Sequence, residues 1–184
     1  MVKQLLIRAS AAALGLWLVC VLVLTPAYAK PSVHLEMEAD SNLVFCNTTL
    51  PNDAKHIARV LHEGTEVTFV WEISIEAVRR YWLNQNVATV RVERRVVPDL
   101  VSQSWRLIDV TSGISRRVFD VKKALAFLTR LRRFPVIDRS LLESGRPYRM
   151  VVSLEEHEGE DRGGWFSRLW GYNTVEKALN FTLP

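Results

Sequence analysis

The amino-acid sequence predicts an α+β domain that is rich in strand: a twisted antiparallel sheet or a β-sandwich with two or three short amphipathic helices. The first observation is residues 63–75, where apolar side chains recur at every second position, as in a strand with one buried and one solvated face. The second is that apolar side chains recur at the helical period near residues 52–63 and 120–134. The third is the short turns between strand patterns, which are typical of an antiparallel meander.

The strand at residues 63–75 is the pattern around which the other elements are arranged. Its apolar face contains Val67, Phe69, Trp71, Ile73 and Ile75. Polar side chains occupy the other face, with Val70 as the exception. We therefore expect Trp71 to be buried and Glu72 to face water.

The first 29 residues have the composition of an export signal. Lys3 and Arg8 are the only charges, a long apolar run follows them, and Ala27 and Ala29 supply the small residues that a signal peptidase requires. We expect cleavage after Ala29, leaving a single periplasmic domain over residues 30–184. The alternative is a retained N-terminal membrane anchor, because the apolar run is long for a signal core.

Charge and cysteine content narrow the classes of partner and chemistry. The net charge is +4 for the whole chain and +2 without Lys3 and Arg8. So small a charge does not indicate nucleic-acid binding, and an exported protein meets no nucleic acid.

Cys46 is the only cysteine after residue 29, which excludes an internal disulfide, so the stability of the domain depends on its apolar core. Without a basic neighbour, Cys46 is expected to be a small buried residue.

A hairpin and a helix are predicted before the central strand. Residues 33–39 and 43–46 alternate on either side of a turn at residues 40–42. The helix begins at an Asn52 cap and ends at Gly64, which we expect in the left-handed conformation that terminates helices.

Two further strands are predicted after the central one. Basic and aromatic residues stand side by side at residues 76–82, before a turn at residues 84–86. Residues 87–97 alternate until Pro98 and Asp99 break the pattern, and residues 100–110 form a third, less regular strand.

The C-terminal half begins with a second helix. Asp120 is its predicted N-cap, and it ends near Phe134 and Pro135. A strand at residues 148–154 and an acidic loop at residues 155–161 follow. Residues 175–183 fit either a last strand or a helical turn.

Taken in order, these features resemble a known family. They are the export signal, the first hairpin, the helix ending in Glu63-Gly64, the strand Val67-Thr68-Phe69, then Arg80-Tyr81-Trp82 and Gly145-x-x-Tyr148-Arg149-Met150-Val151. Over residues 33–154 they resemble an uncharacterised secreted family, found mainly in proteobacteria and catalogued as domain of unknown function 4390. The resemblance implies a Gram-negative periplasmic setting, and it brings no assigned activity or catalytic residue.

No arrangement of residues predicts catalysis, so we expect a protein that is not an enzyme and that needs no cofactor. The sequence has no glycine-rich phosphate loop and no Gly-x-Ser-x-Gly nucleophile motif. His56 and His62 are six residues apart, on different sides of a helix, which excludes a two-histidine metal clamp. Residues 155–161 contain His157 but lack the spacing of a calcium loop, so we expect a solvated loop and no metal there.

Two surface features predict a membrane or partner surface. Seven basic residues flank the second helix: Arg116, Arg117, Lys122, Lys123, Arg130, Arg132 and Arg133. They form either a solvated basic face or a surface that attracts anionic lipid head groups. The aromatic residues Trp165, Phe166 and Trp170 share a helical face with Leu169, and they serve either core packing or an exposed anchor.

These features lead to three hypotheses for function. The first is an exported, non-catalytic periplasmic module that docks at the inner membrane, on an anionic lipid surface or on a membrane protein. The alternative is a carrier of an apolar ligand held between sheet and helices. The third is an uncharacterised enzyme. The sequence leaves the identity of the partner and the oligomeric state open.

Overall fold

The computed structural model describes residues 33–50, 54–159 and 174–184 of the 184-residue chain. The strands in these ranges are β1 (His34–Ala39), β2 (Leu43–Thr49), β3 (Val67–Ala77), β4 (Gln85–Asp99), β5 (Ser104–Asp109), β6 (Ile114–Val118), β7 (Arg130–Asp138), β8 (Pro147–Glu158) and β9 (Thr174–Thr182). The helices are α1 (Ala54–His62), α2 (Val121–Thr129) and a 3-10 turn (Arg139–Leu141). The predicted export signal, the Asn52 cap and the predicted anchor residues Trp165, Phe166 and Trp170 lie outside the described residues.

The strands form two antiparallel sheets, which confirms the β-rich architecture. One sheet has six strands in the order β6-β5-β4-β3-β8-β9, and the other has three in the order β1-β2-β7. Within the larger sheet β3 is central, with β4 along one edge and β8 along the other. The last segment is the strand β9, not a helical turn.

The central strand has the predicted orientation. Its apolar face is buried throughout, and Trp71 is fully inaccessible while Glu72 is exposed. The other face is less solvated than predicted, because Thr68 and Val70 on it are also buried. Trp71 packs with Phe69, whose ring centre lies 6.4 Å from its own. The period-two pattern therefore identified both the strand and its register relative to the core.

A single hydrophobic core joins both sheets and both helices. Its buried members include Val44 of β2, Ile57 of α1, Leu128 of α2 and Leu131 of β7, together with Trp71 of β3. Every buried residue of this core lies within one compact unit, Pro31–Pro184. The domain thus holds its own core without a disulfide.

Cys46 is fully buried in this core, as predicted. Burial raises the pKa of its thiol to about 12. The thiol therefore stays protonated at neutral pH, where it packs as a small apolar group and is a poor nucleophile.

The second helix is shorter than the sequence predicts. Asp120 is its N-cap, and the Asp120 carboxylate accepts a 2.8 Å hydrogen bond from the Lys122 N–H. The helix ends at Thr129, however, and the chain continues directly as β7. The prediction of helix to Phe134 and Pro135 was wrong because this segment pairs with β2, where Phe134 lies opposite Cys46.

Carbonyl groups at the end of α2 are satisfied by side chains of the larger sheet. The Arg94 guanidinium donates to the Phe127 carbonyl at 2.8 Å and to the Arg130 carbonyl at 2.7 Å. The Trp71 indole N–H donates to the Leu128 carbonyl at 3.1 Å. The last carbonyls of a helix lack intrahelical partners, so these bonds stabilise the abrupt end of the helix.

Three further boundaries differ from the prediction. Pro98 does not end β4, which continues to Asp99 with Pro98 opposite Trp105. Proline has no N–H to donate to a neighbouring strand. It is tolerated at this position because β3 begins at Val67, opposite Val96, and therefore does not extend as far as Pro98. The third strand begins only at Ser104, after a turn at residues 100–103, and residues 155–158 belong to β8 and not to a loop.

Candidate functional site

The connection between β3 and β4, residues 78–84, carries the most prominent exposed apolar group in the described chain. We call it the β3–β4 tip. Tyr81, Trp82 and Leu83 are 83%, 81% and 91% exposed, and they are consecutive. Arg79 and Arg80 precede them and are also exposed. Such a run of large apolar side chains in water indicates a surface that another phase or molecule covers.

The base of the tip is fixed by hydrogen bonds. The Val78 N–H donates to the Pro147 carbonyl at 3.0 Å, which ties the tip to β8. The Asn84 amide donates to the Glu76 carboxylate at 3.0 Å, and the Arg79 guanidinium donates to the Gln85 side-chain carbonyl. The tip therefore projects from an anchored base, with its aromatic residues at the outer end.

A concave region of about 640 Å³ adjoins the tip. It is lined by Val78, Asn84, Pro147, Tyr148, Arg149, Asn180, Phe181 and Thr182. Arg149 is half-buried, and it adds a third positive charge to this end of the sheet. Aromatic and cationic groups thus coincide at the end of the domain where β3 meets β4.

All seven basic residues singled out from the sequence are exposed. They are distributed over three elements: Arg116 and Arg117 lie on β6, Lys122 and Lys123 on α2, and Arg130, Arg132 and Arg133 on β7. Both strands contact α2, so the seven side chains flank that helix as expected, although only two belong to it.

Carboxylates and rings already engage part of this basic group. Arg133 lies 3.5 Å from the Glu38 carboxylate and 3.6 Å from that of Asp40, and its guanidinium covers the Phe45 ring. Arg117 lies 4.0 Å from the Asp99 carboxylate. Arg116 lies over the Phe127 ring, 6.0 Å from its centre. Within the described ranges, the other four have neither an ion pair nor a ring contact, so they are the basic residues of the set most available to an external anion: Lys122, Lys123, Arg130 and Arg132.

One group of side chains in the described ranges has the composition of a metal site: His56 of α1 with Glu156 and Glu158 of β8, whose ligand atoms lie within 4.8 Å of one another. The His56 Nε2 lies 2.7 Å from the Glu158 carboxylate, and the Arg59 guanidinium lies 3.1 Å from Nδ1. Arginine only donates, so Nδ1 accepts and Nε2 carries the proton. The group forms a hydrogen-bonded link between α1 and β8.

A cavity of about 450 Å³ lies at the opposite end of the sheet from the tip. It is lined by Leu61, His62, Pro98, Asp99, Leu100, Gln103, Ser104, Trp105 and Phe119. These residues come from the end of α1, from β4, β5 and their turn, and from the segment before α2, so the cavity lies between sheet and helices. Leu100 and Phe119 are 62% and 71% exposed, which shows that the cavity opens to solvent.

Gly64 sets the approach of α1 to this cavity. Its φ of +89° is the left-handed conformation predicted for the residue that ends the helix. A Cβ at this position would lie 2.8 Å from Cδ1 of Leu100. The positive φ is what requires glycine here, whereas the exposed Leu100 side chain can rotate away from a Cβ.

Sequence patterns pointed to some of these features and not to others. The basic and aromatic character of residues 79–82 was visible, but three consecutive large apolar residues ordinarily predict burial. The pairing of His56 with Glu158 and the assembly of the cavity depend on elements far apart in the chain. No local pattern reports such contacts.

The comparisons with known proteins give one match. The family model described as Domain of unknown function (DUF4390) matches residues 32–159, which is more than half of the chain. The searches of curated proteins and of solved structures found no match. Among the described residues, no helix has both the length and the apolar character needed to cross a membrane.

Proposed function

The chain belongs to the DUF4390 family, and we propose that it is an exported, non-catalytic periplasmic module that docks on an anionic membrane surface through the β3–β4 tip. The observation that carries the proposal is the exposure of Tyr81, Trp82 and Leu83 beside two arginines. The description of the family names no activity. The proposal therefore rests on the tip and on the export pattern of residues 1–29.

The residue types at the tip match the chemistry of a membrane interface. Tyrosine and tryptophan concentrate at the level of the head groups, where an apolar ring and a polar group are both satisfied. Transferring Leu83 from water into the acyl boundary contributes ~1.5–3 kcal/mol. Arg79 and Arg80 each add ~1 kcal/mol near an anionic surface.

The anchored base lowers the conformational entropy that the tip loses when it docks. The bonds of Val78 and Asn84 hold the ends of the tip in the free protein, so less backbone freedom is lost on contact with the membrane. The tip also projects beyond the paired ends of β3 and β4, since Ala77 and Gln85 are the last residues in register. This geometry favours contact by the tip before the rest of the domain.

Vesicle co-sedimentation of residues 30–184 tests the proposal. We expect binding to vesicles that contain anionic lipid, weaker binding to zwitterionic vesicles and loss of binding at high salt. The double variant Trp82→Ser, Leu83→Ser should reduce binding at least tenfold with an unchanged melting temperature, because these side chains contact little of the fold. Val101→Ser, which removes an exposed apolar side chain from the β4–β5 turn, is the matched control and should bind normally.

Two outcomes would contradict the proposal. Undiminished sedimentation of the tip variant, with loss of sedimentation in Lys122→Gln, Lys123→Gln, would move the contact to the basic surface around α2. Failure of the unmodified protein to sediment with any vesicle would remove the lipid surface as the partner. If the tip then bound a purified membrane protein, it would be the energetic centre of a protein–protein interface. Tryptophan, tyrosine and arginine are also the preferred residues at such centres.

A second candidate function, carriage of an apolar ligand between sheet and helices, is favoured by the 450 Å³ cavity. Its volume lies in the range of small-molecule sites, and Leu61 and Trp105 give it an apolar floor. We propose this function as the alternative. Binding of an apolar probe that is lost in Phe119→Ser would support it.

A further inference from the structure

The cavity between α1, the β4–β5 turn and the segment before α2 contains the carboxylate of Asp99. Among the nine described residues that line the cavity, Asp99 is the only acidic one, and none is a lysine or an arginine. Hydrogen bonds from the Ser102 hydroxyl and N–H hold the pKa of the Asp99 carboxyl below its usual value. The carboxylate therefore stays ionised at neutral pH and places a negative charge in a cavity whose walls are partly polar and partly apolar.

Aromatic rings stand next to this charge. Trp105 is buried at the floor of the cavity, and the His62 ring meets it edge-on with ring centres 5.5 Å apart. Phe119 and Leu100 form the rim and leave much of their apolar surface in water. Aromatic faces attract cations, and the attraction grows when the cation is desolvated.

From this juxtaposition we propose that the cavity binds a small organic cation, a substituted ammonium with an aromatic or branched apolar body. Its charge lies at the Asp99 carboxylate, and its apolar body covers Trp105, Leu100 and Phe119. The inference rests on the second candidate function, for which it names the ligand class, and it is independent of docking through the tip.

Arg117 is the competing cation for Asp99. Its guanidinium lies outside the set of lining residues, 4.0 Å from the Asp99 carboxylate, and both side chains are substantially exposed. An exposed pair at this distance contributes little to stability, so an incoming ammonium displaces it at small cost. Removing Arg117 therefore strengthens binding of a cation, and it leaves binding of an uncharged ligand unaffected.

Calorimetric titration with benzyltrimethylammonium and with its uncharged carbon isostere, neopentylbenzene, tests the inference. The protein is residues 30–184, which contain the whole described core as one compact unit. We expect the cation to bind about tenfold more tightly than the isostere, since ~1.4 kcal/mol of charge recognition corresponds to that ratio. Asp99→Asn should abolish the preference, and Arg117→Gln should tighten binding of the cation alone. Asparagine retains the oxygen that accepts from Ser102, so the turn stays intact.

Each remaining outcome overturns the inference in a distinguishable way. Equal binding of both probes, unchanged in Asp99→Asn, would retain an apolar carrier and remove the cation as its ligand class. Binding of neither probe would remove the carrier as well. A preference that survives both Asp99→Asn and Phe119→Ser would place the cation at another site. A melt of each variant confirms that the fold is retained.

Discussion

The indole Nε1 of Trp71 donates a hydrogen bond to the backbone carbonyl of Leu128, 3.1 Å away. Trp71 lies in the central strand β3, and Leu128 lies in the last turn of α2. An unpaired carbonyl in the core would cost ~1–3 kcal/mol. The bond therefore fixes the helix against the sheet and satisfies a group that the end of the helix leaves open.

Truncating Trp71 should be among the most destabilising changes in the domain. Trp71→Ala removes a fully buried ring and the hydrogen bond to Leu128, and we expect a loss of ~3–5 kcal/mol in the free energy of unfolding. Glu72→Ala, the exposed neighbour, should change it by less than ~0.5 kcal/mol. Urea denaturation measures both, and equal small effects would show that the orientation of β3 is wrong.

Arg94 provides a second side-chain contact at the C-terminal end of α2. Arg94→Lys keeps the charge, but the shorter side chain does not bring its nitrogen to the position from which Nη1 donates to the carbonyls of Phe127 and Arg130, so we expect a loss of ~1–3 kcal/mol in the free energy of unfolding. Arg91→Lys is the control, because Arg91 is exposed on the same strand and should tolerate the change. A loss as large in the control would mean that replacing any guanidinium on β4 is destabilising, and that the bonds of Arg94 to these carbonyls are not the cause.

The turn aspartates make stability sensitive to acid. Hydrogen bonds from the N–H groups of Leu43 and Asn42 lower the pKa of Asp40 below its usual value of 3.8. The folded state therefore binds this proton more weakly than the unfolded state. The stabilisation of the folded state by the ionised Asp40 carboxylate is therefore complete above about pH 4, and it is lost as the pH falls through the lowered pKa.

Urea midpoints between pH 7 and pH 2.5 test this dependence. In Asp40→Asn the midpoint should fall less below pH 4 than in the unmodified protein, because one of the linked protons is absent. Asp138→Asn should behave similarly, since hydrogen bonds from Ser140 also lower the pKa of Asp138. Parallel curves for all three proteins would contradict the assignment.

The export pattern predicts the N-terminus of the mature protein. Cleavage after Ala29 leaves Lys30 as the first residue. Intact-mass spectrometry of the protein from its native host should find that species in the periplasmic fraction. Recovery of an uncut Met1 form from the membrane fraction would support the retained anchor instead.

Elements with strict periodicity were predictable from the sequence. The alternation in β3, the Asp120 cap and the left-handed Gly64 each follow from local chemistry, and the structure has all three. β7 was not predictable because Arg133, with a φ of +43°, and two shifts in its pairing with β2 interrupt the alternation. Its strand conformation depends on β2, which lies far away in the sequence.

The candidate sites were less accessible to sequence reasoning than the fold. Exposure of Trp82 follows from the position of the tip beyond the paired ends of two strands, and not from its residue type. The cavity arises where His62, Asp99 and Phe119 are brought together from the end of α1, the end of β4 and the segment before α2. Long-range packing decides both features, and no short pattern contains that information.

The position of β3 in its sheet has a consequence for folding order. One edge of the strand pairs with β4, which follows after a short connection, so that Gln85 lies opposite Ala77. The other edge pairs with β8, in which Tyr148 lies opposite the same residue and is synthesised much later. Until the chain beyond residue 147 is available, the most apolar strand of the domain has an unpaired edge. Pairings of such sequence separation form slowly, and a free edge of this kind recruits other chains. We therefore expect nascent or truncated forms that end before β8 to aggregate more readily than the complete chain.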